Sequence, residues 1–133
     1  MNVRNILVAE DNPDDALIFK MMFRRSGVSH QMHMVDDGEQ VIAWLEGRDG
    51  FMDRQKYPLP DLLILDLKMP IKGGFEVLDW LRGQEGFGKV PSLILSSSDD
   101  PKDVKKASEL CVTGYFIKSP DLHDVMDYLR KWA

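Results

Sequence analysis

Short apolar runs alternate along the chain with stretches whose apolar positions recur every three or four residues. The runs are residues 6–9, 32–35, 62–65, 93–95 and 115–117. Several are continuous rather than alternating, as expected of strands buried on both faces. The second is the weakest and is placed largely by the spacing of its neighbours.

Between the runs lie helix signals. Asn12-Pro13 offers an N-cap and a proline at the first helical position. Ala16, Phe19, Met22 and Phe23 then share a face, and Gly27 can end the helix. Val41, Ile42 and Leu45 mark a second helix; Phe75, Leu78 and Leu81 a third, with Gly83 after it. Asp100-Pro101 repeats the cap-plus-proline signal ahead of Val104, Ala107 and Cys111. Leu122, Val125, Met126 and Leu129 form the cleanest stripe.

The pattern is βα repeated five times. It predicts an α/β fold of flavodoxin-like type, a (βα)5 doubly wound parallel sheet with strand order 2-1-3-4-5. Residues 47–60 read as a polar surface loop. The last stripe runs to the C-terminus, so residues 1–133 are expected to form one domain with no output domain.

Composition narrows the class. The 133 residues are 44% hydrophobic with a net charge of −5, which suits a packed core and argues against a nucleic-acid binder. No apolar run approaches the ~20 residues of a membrane helix, and the opening MNVRNILVAEDN turns acidic too soon for a secretory leader. A cytoplasmic protein is expected. The single cysteine, Cys111, excludes an internal disulfide and is expected to be a small buried hydrophobe.

In a doubly wound sheet, sites form at the carboxyl ends of the strands. The first strand delivers Glu10 and Asp11 there, the third Asp66, the fourth Ser96, Ser97 and Ser98, and the fifth Lys118. Two carboxylates ~4 Å apart repel by roughly 4 kcal/mol at an effective dielectric of 20. A hard divalent cation would offset that, and Mg²⁺ needs only one or two carboxylates plus other oxygens. Asp14 and Asp15 are read instead as first-turn acids facing the helix dipole.

Asp66 is then a candidate nucleophile toward phosphorus, giving an aspartyl phosphate. Such chemistry needs mainly positioning and charge neutralisation. The cation, the Lys118 ammonium and the Ser96 hydroxyl would supply it. A helix cap explains one strand-end Asp, but not four segments that each deliver a needed group. A P-loop is absent. Acids after the first strand would repel a flavin phosphate. A phosphatase of the haloacid-dehalogenase type would want a second Asp where Lys68 stands. His30, His33 and His123 lack metal-ligand spacing and read as surface or half-buried residues.

These residues resemble the receiver domain of two-component response regulators along the whole chain. The resemblance rests on Glu10-Asp11, the stretch Asp66-Leu67-Lys68-Met69-Pro70, Ser96, and Tyr115-Phe116-Ile117-Lys118, with 96 − 66 = 30 and 118 − 96 = 22. It implies that Asp66 accepts a phosphoryl group from a phosphohistidine on a sensor histidine kinase, or from a phosphotransfer protein. It further implies that Asp11 binds Mg²⁺ (or Mn²⁺) directly, Glu10 does so through water, and the Lys68 backbone carbonyl is a further ligand. Lys118 would pair with the phosphoryl group, Ser96 would swing toward it, and Tyr115 would follow inward. The chain would catalyse its own phosphorylation and dephosphorylation without being a turnover enzyme, and would signal to a downstream protein target. The alternative is a pseudo-receiver that keeps the fold and does not switch.

A narrower resemblance, to stand-alone regulators associated with bacterial phytochromes, rests on EDNPDD, the long loop before Pro60-Asp61, the Ser-rich end of the fourth strand, Lys118-Ser119 and the final Leu-Arg-Lys-Trp. It implies a bacteriophytochrome kinase as partner and, as in some members, a homodimer.

Three departures carry expectations. The family usually places proline, after a cis bond, directly behind the lysine; here Ser119 intervenes before Pro120, and a cis Lys118–Ser119 bond is expected at ~3–4 kcal/mol. The Lys68 side chain is expected to overhang the phosphoryl group and alter its lifetime. Ser96 replaces the commoner threonine but keeps the hydroxyl.

Overall fold

The computed structural model describes residues 3–132. Its elements alternate as the apolar pattern requires: β1 (Asn5–Ala9), α1 (Pro13–Arg25), β2 (Gln31–Val35), α2 (Gly38–Glu46), β3 (Leu62–Leu65), α3 (Gly74–Arg82), β4 (Ser92–Ser96), α4 (Pro101–Glu109), β5 (Gly114–Ile117) and α5 (His123–Lys131). The strands form one parallel sheet in the order β2-β1-β3-β4-β5.

Alternating side chains of the central strands feed two apolar cores. Ile6, Val8, Leu62, Ile64, Leu93 and Leu95 pack against α1 and α5 through Phe19, Val125, Met126 and Leu129. Leu7, Ala9, Leu63, Leu65 and Ile94 pack on the other face against α2 and α3, through Val41, Leu45, Val77, Leu78 and Leu81. Both faces are covered, which is why β1 and β3 read as continuous apolar runs.

The helix starts behave as their sequences predict. Asn12 Oδ1 accepts the N–H groups of Asp14 and Asp15 at 2.9 and 3.0 Å. Asp37 and Asp100 cap α2 and α4 in the same way. Gly27, at φ +79°, follows the end of α1.

Three details differ from the sequence expectation. Cys111 lies beyond the end of α4 at φ +61° and is exposed, not buried. The reason is that α4 buries only Ala107 against the sheet. Leu122 is the N-cap of α5 at φ +51° rather than part of its stripe, although its side chain is buried. Loop 47–60 carries an aromatic lock. Trp44, Phe51 and Tyr57 stand with ring centroids 5.0–5.2 Å apart, and the Trp44 indole donates to the Pro58 carbonyl at 2.8 Å.

Candidate functional site

The register of β1 and β3 pairs Ala9 with Leu65, so the next residues, Glu10 and Asp66, emerge side by side from the sheet. Each continues the ladder one step. The Asp66 N–H donates to the Ala9 carbonyl at 3.3 Å, the Glu10 N–H to Val35 at 3.1 Å, and the Lys118 N–H to Ser96 at 2.8 Å. Backbone pairing thus carries the candidate residues out to one edge before any side chain interacts.

Glu10, Asp11 and Asp66 each offer a carboxylate oxygen there, all within 4.8 Å of one another. Glu10 and Asp66 are 5% and 8% exposed, whereas Asp11 faces solvent. The Lys118 ammonium stands among the acids, 2.6 Å from Glu10 Oε1 and 2.8 Å from Asp66 Oδ2. The Glu10 carboxylate also accepts the Asn12 N–H at 3.1 Å, and Asp66 Oδ1 lies 3.4 Å from the Lys68 nitrogen.

The charges are not fully balanced. Burial pushes the Glu10 carboxyl above its usual range, against the opposing bond from Lys118. Burial would lower the Lys118 ammonium, but its bonds to Asp66, Glu10 and Asp15 outweigh that and hold it above the ordinary lysine value. Three clustered acids against one ammonium leave room for a further positive charge. The donor set is all hard oxygen, and among the described residues no donor claims the Lys68 carbonyl. The residues fit a small divalent cation.

The remaining candidates lie along the same edge. Ser96 is buried at the end of β4, where its hydroxyl accepts the Ser98 N–H at 3.1 Å. Tyr115 donates its hydroxyl to the Ser98 carbonyl at 2.7 Å, and burial raises its pKa. Ser98 bonds to Asp103 in the first turn of α4, while Ser97 is exposed. Among the histidines, His30 and His33 are half-buried and His123 is exposed.

Two sequence expectations need correction here. Asp15 is not merely a first-turn acid: its Oδ2 lies 2.9 Å from the Lys118 ammonium. The sequence held no signal for this, because Asp11 precedes the N-cap of α1 and the direction of Asp15 depends on how the helix leaves β1. The second concerns Lys118–Ser119. No cis peptide bond occurs among the described residues, so this bond is trans. Without a proline at 119, nothing local favours the cis form.

Comparison with known proteins shows the family. Residues 6–130 match the family model described as response regulator receiver domain. The response regulator Rcp1 of Synechocystis sp. is 30% identical over 125 residues, 94% of this chain and 83% of that protein. Among solved structures, the response regulator RPA3017 in red light signaling of R. palustris superposes with a TM-score of 0.86 at 33% identity, over 96% of this chain and 90% of that one. The phosphorylated cyanobacterial phytochrome response regulator RcpA gives 0.83 at 28% identity over 97% and 90%. The Mn²⁺-bound form of Rcp1 gives 0.80 at 28% over 96% and 89%. The chain belongs to the response regulator receiver domain family and, within it, is similar to regulators of phytochrome signalling.

Proposed function

We propose that the chain is a phosphorylation-controlled switch that takes a phosphoryl group onto Asp66 from a phosphohistidine of a sensor kinase. The observation that carries this reading is the packing of three carboxylates within 4.8 Å beside an ammonium 2.8 Å from Asp66. An Asp66 oxygen attacks phosphorus, the P–N bond of the donor breaks, and its electron pair returns to the imidazole. A small divalent cation, Mg²⁺ or Mn²⁺, would neutralise charge on the phosphoryl oxygens. Asp11, Asp66 and the Lys68 carbonyl would hold it, with Glu10 acting through water. Lys118 pairs with a phosphoryl oxygen, and Ser96 takes another.

The switch follows from the bonds Ser96 makes. If its hydroxyl turns to the phosphoryl group, it leaves the Ser98 N–H, and Tyr115 bonds to the carbonyl of that same Ser98. Two states of this loop would alter the surface of α4, β5 and α5, and phosphorylation would bias them. The similarity to RPA3017 and RcpA supports a bacteriophytochrome-type kinase as donor, acting in the cytoplasm on a chain whose output is a protein contact. A pseudo-receiver is less well supported, since none of the five site groups is missing.

Transfer from the kinase is the direct test. A bacteriophytochrome-type kinase core, labelled on its histidine, is expected to pass its label to the wild-type chain within minutes with Mg²⁺ present and not to Asp66→Asn. Label retained by every such kinase tried would overturn the partner. Lys68 is exposed two residues past Asp66, and its charge would retain the phosphoryl group. Lys68→Ala is expected to change the dephosphorylation rate about two- to fivefold; an unchanged rate removes that role.

A further inference from the structure

The Lys118 ammonium has three donors. It donates to Asp66 Oδ2 (2.8 Å) and Asp15 Oδ2 (2.9 Å), and it forms an ion pair with Glu10 Oε1 at 2.6 Å. Two of these acceptors belong to the carboxylate cluster that suits a cation; Asp15 does not. A cation in that cluster draws the negative charge of Glu10 and Asp66 away from Lys118. A phosphoryl group on Asp66 then replaces one acceptor by another. Asp15 is the acceptor that neither event changes.

Packing does not fix the ammonium instead. Lys118 stands at the wall of a cavity of about 290 Å³, lined largely by apolar side chains of β1, α1, β3 and the segment after β5, among them Ile18, Ile64 and Leu122. A flexible four-carbon stem beside open space has several places to put its head. Asp15, on the wall of the same cavity, has a much shorter reach: its carboxylate is one methylene from a backbone whose N–H is bonded to the Asn12 cap at 3.0 Å, within the first turn of α1.

We propose that Asp15 is a positioning residue that tethers the Lys118 ammonium to the first turn of α1 through the phosphorylation cycle, presenting it to the phosphoryl oxygen. The proposal rests on the phosphoacceptor reading above. It gives Asp15 no contact with the phosphoryl group; its action passes through Lys118.

Coupling between the two residues is the test. Phosphorylation of Asp66 by acetyl phosphate with Mg²⁺ is followed in wild type, Asp15→Ala and Asp15→Asn, and in the same pair of variants carrying Lys118→Ala. The rate is expected to fall about tenfold in Asp15→Ala, as for loss of one hydrogen bond to a charged group. Asp15→Asn keeps an oxygen acceptor and recovers most of the loss. In the Lys118→Ala background Asp15→Ala adds nothing, because the two act as one unit. A wild-type rate in Asp15→Ala, or a full loss persisting without Lys118, overturns the proposal. A second readout needs no phosphoryl transfer. In the Mg²⁺-loaded protein, the side-chain ¹⁵N signal of Lys118 is expected to be sharp in wild type and Asp15→Asn and broadened by exchange in Asp15→Ala. An unchanged signal overturns the tether. If the wild-type chain takes up no phosphoryl group at all, the phosphoacceptor reading fails, and the ¹⁵N comparison alone decides the tether.

Discussion

Glu10 is held between opposite demands. Its carboxylate is buried beside Asp66, yet it bonds to Lys118 at 2.6 Å and to the Asn12 N–H at 3.1 Å. Burial wins, since its pKa is raised. The folded chain without a cation therefore holds the charged form of this residue less favourably than the unfolded chain does, and a neutral isostere should relieve that cost. Glu10→Gln is expected to raise the cation-free melting temperature by a few degrees, where ~1 kcal/mol corresponds to ~4 °C at this size. The same variant should bind Mg²⁺ at least several-fold more weakly, as calorimetry would show. A lower melting temperature with unchanged Mg²⁺ affinity would mean that Glu10 stabilises the fold rather than the ion. Asp15 is the residue-scale surprise. Its charge and its place in the first turn are plain in the sequence, but its bond to Lys118 depends on how α1 leaves β1.

At the scale of elements, two local arrangements make predictions. His33, on β2, tilts against the Trp44 ring at 5.4 Å, with Nε2 3.2 Å from Asn5 Oδ1. Burial lowers its pKa. The unfolded chain therefore takes up a proton near the ordinary histidine value of about 6.5 while the folded one resists. The stability that neutral His33 contributes is fully present above that pH and is lost as pH falls through the lowered folded value. His33→Gln should flatten the fall in melting temperature between about pH 7 and pH 5; parallel curves for the two proteins would assign the slope elsewhere. Arg54 closes the end of α2, donating to the carbonyls of Trp44, Leu45 and Tyr57 at 2.8, 2.9 and 3.1 Å. Arg54→Ala removes a cation from a helix C-terminus together with its bonds. It should lower the urea-derived unfolding free energy by ~2–3 kcal/mol, and a change below ~0.5 kcal/mol would show the loop to be held by its aromatics alone. The sequence hid this lock because Phe51, Arg54 and Tyr57 are scattered through a polar segment with no period. It hid the exposure of Cys111 for a related reason: the apolar spacing of α4 runs on past the end of the helix to Cys111, where the backbone turns left-handed.

Across the whole molecule, the legible part was the part that burial dictates. Strands covered on both faces must be apolar throughout, so β1, β3 and β4 announced themselves, and parallel pairing then brought Glu10, Asp66 and Lys118 to one edge. What the order of elements cannot carry is side-chain direction and the isomer of one peptide bond, which is why the structure departs from expectation at Asp15 and at Lys118–Ser119. The central claim concerns that edge: Asp66 is a phosphoacceptor that needs a divalent cation. Intact mass after incubation with acetyl phosphate and Mg²⁺ tests it most directly. The account predicts a gain of one phosphoryl group in the wild-type chain, absent in Asp66→Asn and absent when the cation is chelated. A wild-type chain that stays folded and gains no mass, or gains it equally in Asp66→Asn, would contradict it.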